Sequence, residues 1–177
     1  MTQLRELDIS VTNVGDSGLE NLNGLPSLQV LQVGGTKVTD SGLANIEGLT
    51  NLRELILTGT CIGDEGLQHV KPLRQLIHLE LERTRITDKG LVHVKGLTQL
   101  QLLNLEGTQV TDQGLAQLKG LTQLQLLSLP STKVTDSGLE QLARLTQLQL
   151  LFLSGTKVTD AGVKKLQQAL PNCQIIH

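Results

Sequence analysis

The side chains best suited to metal binding are two histidines that stand 24 residues apart, His69 and His93. Imidazole is a common zinc ligand, but a zinc site needs three or four protein ligands. The positions 24 residues before His69 and after His93 hold Asn45 and Gln117, which do not complete such a set. The chain also has no phosphate-binding glycine-rich loop. We therefore predict no bound metal and no cofactor.

A second group with possible chemistry is acidic and consists of Glu80, Glu82 and Glu106. Two carboxylates can serve as acid and base in glycoside hydrolysis, but the sequence builds no pocket around these that would shift a pKa. The cluster has three interpretations: a polar rim for a partner, a cation site, or a solvated surface. In the third, Arg83 and Arg85 neutralise the acids in pairs worth about 0–1 kcal/mol each. No Ser-His-Asp arrangement is evident either, so we predict that the chain is not an enzyme.

A repeat with a period of 24 residues must position all of these side chains. Equivalent blocks begin at seven leucines, which are Leu4, Leu28, Leu52, Leu76, Leu100, Leu124 and Leu148. Each block is close to L-x-x-L-x-L-x-x-T-x-(V/I)-T-D-x-G-L-x-x-L-x-x-L. Tandem repeats of this length with a leucine pattern are typical of a solenoid.

Within each unit the pattern predicts one strand and one short helix. The L-x-L segment alternates with period two, which indicates a strand with one buried face. The Asp that follows the turn, such as Asp40, is predicted to cap a helix N-terminus. Apolar residues three apart, such as Leu43 and Ile46, then share one helix face. The Gly two residues after each Asp is interpreted as a small residue for close helix packing or, alternatively, as a turn residue.

The repeat resembles those of leucine-rich repeat proteins over nearly the whole chain. The T-(V/I)-T-D-x-G-L signature and the closing Leu170–Cys173 segment are most similar to a bacterial type and to the ribonuclease-inhibitor-like class. The resemblance implies an α/β fold, a right-handed solenoid with a parallel sheet on its concave face and short helices on its convex face. It also implies protein interaction. The family's usual Asn is Thr in all seven units, for example Thr36, and its hydroxyl can still satisfy a turning backbone.

Residues between the strand leucines should line the concave face, and the C-terminal half of that face is apolar. Leu102, Leu126 and Leu150 recur at one position, with Phe152 beside them. We interpret this row as a protein-binding patch, because soluble proteins seldom expose large apolar areas without a function. Two alternatives stay open: same-face packing in near-copied units, and cover by another segment of the protein. The full set of predicted binding residues is Leu102, Leu126, Leu150, Phe152 and Ile175 as apolar anchors, with His78, Glu80 and Glu82 as a polar flank.

Ile175 enters that set through an insertion in the last unit. Leu170–Ile176 aligns with Leu25–Leu31 at an offset of 145 residues, one more than six periods of 24. This alignment predicts a final helix that is one residue longer, followed by an eighth strand. It places Ile175 next to Leu150 on the concave face and Cys173 in a buried leucine column.

Composition excludes several other classes of function. The 177 residues carry a net charge of -2 and a single aromatic residue, which argues against nucleic-acid binding. No apolar run is long enough for a membrane span, and Met1–Ile9 does not resemble a signal peptide. Cys61 and Cys173 lie five strands apart, so we predict two free thiols and, with no signal peptide, favour a cytoplasmic location.

The domain prediction is a single leucine-rich repeat domain over residues 1–177, with seven 24-residue units and an eighth strand. No polar cap precedes the apolar edge formed by Leu4, Leu7 and Ile9, so we expect a fragment of a longer protein or an edge covered by a partner chain. The predicted function is a non-catalytic protein–protein interaction module for an unknown protein. A homodimer through the concave row or the N-terminal edge is a further expectation. The alternative is a structural or regulatory segment of a larger multidomain protein.

Overall fold

Each 24-residue repeat contributes one strand to a single parallel sheet. A computed structural model describes residues 3–177 and places the eight strands in chain order, each paired with the next. The strands are β1 (Glu6–Asp8), β2 (Val30–Gln32), β3 (Glu54–Ile56), β4 (His78–Glu80), β5 (Leu102–Asn104), β6 (Leu126–Ser128), β7 (Leu150–Phe152) and β8 (Gln174–Ile176). The predicted leucine-rich repeat solenoid, one open parallel sheet with short helices, is confirmed.

Short helices return the chain from one strand to the next. The α-helices are α1 (Asp40–Leu43), α2 (Asp64–Leu67), α3 (Asp88–Leu91), α4 (Asp112–Leu115), α5 (Asp136–Leu142) and α6 (Asp160–Ala169). Single turns of 3-10 helix span Asp16–Leu19, Leu22–Gly24, Ala44–Ile46, Gln68–Val70 and Ala116–Gly120. The last helix is the longest, as the insertion in the last unit predicts.

The core lies between the sheet and the helices and is almost entirely aliphatic. The strand leucines of the central units, such as Leu79 and Leu103, are fully buried, as are the helix-face residues Leu91 and Val94. The turn threonines of the five central units are buried as well. Thr84, for example, donates its hydroxyl hydrogen to the Leu81 carbonyl oxygen at 2.7 Å, which confirms that Thr satisfies the turn in place of Asn.

The Asp column has a different role from the predicted helix cap. Each Asp is the first residue of its helix, and the preceding Thr or Gly occupies the N-cap position, as Thr111 does for α4. The carboxylate instead reaches the following unit: Asp112 accepts hydrogen bonds from the Thr135 amide at 2.8 Å and from the Thr135 hydroxyl at 2.7 Å. The prediction missed this because it considered each unit alone, whereas the partner lies 23 residues further along the chain.

The helix glycines give these carboxylates their space. A β-carbon built on Gly90 would lie 2.5 Å from Asp64 Oδ1, closer than side chains approach each other. The φ angle of Gly90 is not positive, so turn geometry does not require glycine here. Close packing of neighbouring units, the first of the two interpretations, is therefore the correct one.

The C-terminal unit corrects the predicted position of Ile175. The helix insertion is compensated by the loss of one residue between Cys173 and β8, so the strand returns to the 24-residue register. Leu150 pairs with Gln174, Leu151 with Ile175, and Phe152 with Ile176. Ile175 thus lies on the inner face and packs against the core. Cys173 is buried as predicted, and both cysteines are free thiols, with Cys61 exposed.

Candidate functional site

The central feature of the concave face is an apolar strip, here called the leucine row, formed by Leu102, Leu126 and Leu150. Parallel pairing sets these residues directly beside one another on β5, β6 and β7. Each side chain is half-buried rather than fully exposed, because its neighbours in the row cover part of it. The row forms the floor of a shallow open groove that is edged by Gln101, Gln125 and Gln149.

The row is extended along β7 and β8 by two further apolar side chains. Phe152 follows Leu150 on the same face of β7 and is half-buried. The residue beside it on β8 is Ile176, which is 37% exposed. The sequence analysis missed Ile176 because it aligned all of Leu170–Ile176 with Leu25–Leu31 at one offset of 145 residues. That alignment placed Ile175, rather than Ile176, on the concave face. A plain 24-residue offset from Phe152 would have found it.

A hydrogen-bonded polar cluster, here called the histidine network, adjoins the leucine row on the N-terminal side. His78 Nε2 lies 3.0 Å from Glu80 Oε1, and His78 Nδ1 lies 3.8 Å from Glu54 Oε2. Asn104 donates a hydrogen bond of 2.7 Å to the other oxygen of Glu80. The sequence predicted His78 and Glu80 as a flank, but it did not identify Glu54 and Asn104 as their partners.

Mutual interaction shifts the pKa values of the two central groups in opposite directions. The hydrogen bond to Glu80 raises the pKa of His78 above its ordinary value, although partial burial opposes this. The same hydrogen bond lowers the pKa of Glu80, and the bond from Asn104 adds to that effect. Both shifts favour the ionised pair, in which His78 is the cation and Glu80 the anion.

The side chains of the remaining acidic residues, Glu82 and Glu106, take no part in the side-chain hydrogen bonds of the histidine network. Glu82 Oε1 lies 3.3 Å from the exposed Arg83 guanidinium Nε. Arg85 points away from the acids and donates a hydrogen bond of 3.8 Å to the Cys61 sulfur. Of the predicted acidic cluster, the structure therefore brings only the Glu80 side chain into the network, whereas Glu106 joins it through its backbone amide, which donates a hydrogen bond of 3.0 Å to Asn104 Oδ1.

The other two histidines on the helix side do not act together. His69 Nδ1 lies 2.5 Å from Glu47 Oε1. The Nδ1 atom of His93 is buried and has no hydrogen-bond partner within residues 3–177, and burial lowers the pKa of this histidine. No group of three His, Cys, Asp or Glu side chains that could hold a metal occurs in the described part of the chain.

A cavity of about 260 Å³ lies on the helix side between α5 and α6. Leu139, Ala143, Leu166 and Ala169 line it, and the Glu140–Lys165 ion pair stands at its edge. It has no connection with the leucine row or the histidine network. No helix within residues 3–177 is long and apolar enough to cross a membrane.

The stacked units, the single parallel sheet and its side-chain columns define a leucine-rich repeat solenoid. The family model for the leucine-rich repeat matches residues 1–22, 24–46 and 48–69. No match was found among curated protein sequences. The chain therefore has the leucine-rich repeat fold, and its first three repeats match the family model.

Three solved structures of bacterial proteins are similar in fold to this chain. An internalin, inlF, from Listeria monocytogenes superposes with a TM-score of 0.85 at 28% identity, covering 99% of this chain and 48% of that one. The internalin C2 of the same organism gives the same score and identity, with 99% of this chain and 71% of that one covered. The chain thus spans about half the length of the first. A leucine-rich repeat protein of Leptospira interrogans shares the fold, with a TM-score of 0.60 at 20% identity over 99% of this chain and 61% of that one.

Proposed function

We propose that the chain is a non-catalytic protein-interaction module and that its concave face is the binding surface. The observation that carries the proposal is the leucine row, three leucines in register on adjacent strands with Phe152 beside them. Adjacent apolar side chains at the floor of an open groove favour contact with an apolar segment of another protein.

The rigidity of the sheet supports this function. Every strand is only three residues long, and each is held on both sides by parallel pairing except β1 and β8. The half-buried side chains of the row already have restricted rotamers, so binding costs them little conformational entropy. No residue of the row or of the histidine network lies in an enclosed cavity, which supports binding over catalysis.

Peptide selection tests the proposal without knowledge of the natural partner. Random peptides displayed on phage are selected on the protein and then compared on two variants. We expect the double variant Leu126→Glu with Leu150→Glu to lose the selected binders, because two carboxylates would stand in the apolar groove. Val92→Glu is the matched control, since Val92 is 38% exposed on the helix side, and it should retain them.

Circular dichroism of both variants establishes that the fold is intact, and half-burial of the leucines makes this the expected result. Binders that persist on the double variant would show that the leucine row is not the binding surface. Failure to select any binder that depends on these two leucines would count against the proposed function itself.

A structural or regulatory segment of a larger protein is the second candidate. The apolar edge of the first unit favours it, because Leu4 is 39% exposed and Leu7 is only half-buried. Light scattering at two concentrations distinguishes the surfaces. A mass near 19.1 kDa at both concentrations leaves the two surfaces free. A doubled mass shows self-association. If the Leu126→Glu, Leu150→Glu variant is monomeric, the leucine row is the contact surface. If that variant is still dimeric, the N-terminal edge is the contact surface.

A further inference from the structure

The leucine row and the histidine network form one continuous column across five strands. Glu54, His78 and Leu102 pair in sequence across β3, β4 and β5, and Leu126 and Leu150 continue the same column on β6 and β7. The concave face therefore changes from acidic to apolar along one line. A segment of a partner that lies along this line meets both kinds of surface.

The charged residues of the strands themselves are mostly acidic, and a basic side chain, that of the exposed Arg53, lies directly before β3. The eight strands contain Glu6, Asp8, Glu54 and Glu80, and none of these strands, within the described residues, contains Lys or Arg. The C-terminal strands β5 to β8 carry no charged residue at all. The complementary ligand thus has a positive charge toward the N-terminal strands and none toward the C-terminal ones.

Strand spacing sets the length of the complementary segment. Three strand intervals separate His78 from Leu150, which is about 14 Å at roughly 4.8 Å per interval. An extended chain covers about 3.3 Å per residue, so about four residues bridge that distance. An extended segment of about four residues therefore reaches from Leu150 to β4, which carries Glu80. Glu54 on β3 lies one interval of about 4.8 Å further.

His78 stands where the positive charge of such a segment would bind. It faces Glu54 on β3 and Glu80 on its own strand, while its neighbours on β5, Leu102 and Asn104, are uncharged. The one basic residue of the adjoining segment is the exposed Arg53, whose backbone carbonyl accepts the His78 amide hydrogen at 3.0 Å. When His78 is protonated, it neutralises the two carboxylates from within the protein. When it is neutral, they are available to a cation from outside.

We propose that the concave face binds an extended segment of a partner protein. The segment has apolar side chains over the leucine row and, about four residues from the one that covers Leu150, a lysine or arginine that pairs with Glu80 and Glu54. Protonation of His78 weakens this binding. The inference rests on the proposed function and specifies the partner chemistry of the same surface. Binding should strengthen as the pH rises through the titration of His78, because the competing internal cation is then lost.

The peptide selection described above provides the test. We expect the clones that depend on Leu126 and Leu150 to carry Lys or Arg at one end of an apolar stretch. A synthetic peptide of the most enriched sequence is then titrated by calorimetry at about pH 5.5 and about pH 8, on either side of an ordinary histidine pKa. The affinity for the native chain should be about fivefold higher at the upper pH, the equivalent of one ion pair at an interface.

Four substitutions isolate the role of the histidine network. With His78→Gln, the affinity should no longer change between the two pH values. Replacement of the basic residue of the peptide by norleucine should abolish the same change. Glu80→Gln should weaken binding of the basic peptide, whereas Glu65→Gln, on α2 away from the concave face, should not.

The outcomes separate this inference from the proposed function. Leucine-dependent clones that lack basic residues, or that are enriched in acidic ones, overturn the inference and leave the interaction module standing. A pH dependence that persists in His78→Gln overturns the role of His78. The absence of any leucine-dependent clone overturns both proposals.

Discussion

The residue that follows each strand by three positions adopts a left-handed backbone conformation in every unit. Glycine provides it at four positions, with φ between 65° and 71°, but Val11, Arg83 and Ser131 adopt it with φ of 55°, 52° and 56°. An L-residue in this conformation costs about 1–2 kcal/mol, and a β-branched residue is the least suited to it. Strain is therefore stored at three of the seven turns.

Replacement of Val11 by glycine should stabilise the protein. Val11 is 87% exposed, so loss of its side chain removes little buried surface. Relief of the backbone strain outweighs the greater chain entropy of glycine, which is about 0.5–1 kcal/mol. We expect Val11→Gly to raise the free energy of unfolding by about 0.5–1 kcal/mol, measured by urea denaturation.

The control for this prediction is Lys37→Gly. Lys37 is also exposed and lies in the turn of the next unit, but its φ angle is not positive. Only the entropic cost of glycine applies there, so this variant should be less stable than the native chain by about 0.5–1 kcal/mol. Equal effects of the two substitutions would mean that the left-handed conformation carries no strain at Val11.

The sequence predicted the roles of residues that interact within their own unit, but not those of residues that pair with another unit. Thr in place of Asn was correctly expected to satisfy the turn, because its hydroxyl acts within three residues of its own position. The pairing of His78 with Glu54 depends on strand register between units, so only the general polar character of the flank was predictable. The protein-binding role of Leu102, Leu126, Leu150, Phe152, His78, Glu80 and Glu82 stays a prediction.

At the scale of elements, the Asp column joins successive units. Asp64, Asp88, Asp112 and Asp136 each accept two hydrogen bonds from the Thr that precedes the next helix. A hydrogen bond to a charged group contributes about 1.5–3 kcal/mol. The column therefore fixes the spacing of the helix layer, as parallel pairing fixes that of the sheet.

Asp112→Ala should destabilise the protein far more than Asp160→Ala, although both residues begin a helix at the same position of the unit. Asp112 loses two hydrogen bonds to Thr135, whereas the Asp160 carboxylate, within residues 3–177, is hydrogen-bonded only to the exposed His177. We expect about 2–3 kcal/mol for Asp112→Ala and under about 1 kcal/mol for Asp160→Ala, where only the helix-dipole interaction is lost. Urea denaturation measures both. A similar loss at the two sites would mean that the Asp column stabilises the protein through the helix dipole alone.

Whether a structural feature of this size could be predicted depends on whether its interactions lie within one unit or join two units. Strands and helices could be predicted, because the leucine periodicity acts within one unit. The Asp bridges could not, and neither could the register of β8, where a deletion before the strand cancels the insertion in α6. The sequence alignment allowed for the insertion in α6 but not for the deletion before β8. It therefore assigned Ile175 to the wrong face of the sheet.

At the scale of the whole molecule, the apolar core is covered less completely at the N-terminal end of the solenoid than at the C-terminal end. At the N-terminal end, Leu7 is half-buried between the exposed Glu6 and Asp8, and the first helical segment is a 3-10 turn. At the C-terminal end, α6 covers the last unit with ten residues. Gln167 there donates hydrogen bonds to the carbonyl oxygens of Leu170 at 2.9 Å and Cys173 at 3.0 Å.

This asymmetry predicts the order in which the units open. In a solenoid each unit is stabilised only by its neighbours, so local unfolding begins at the less sealed end. Hydrogen exchange should find the Ile9 amide, bonded to the Gln32 carbonyl, at least about a hundredfold less protected than the Leu105 amide in the centre. The Leu153 amide, bonded to Ile176, should resemble the centre more than the N-terminal end. Equal protection at all three amides would mean that the units unfold only together, and then the open N-terminal edge costs the protein no local stability.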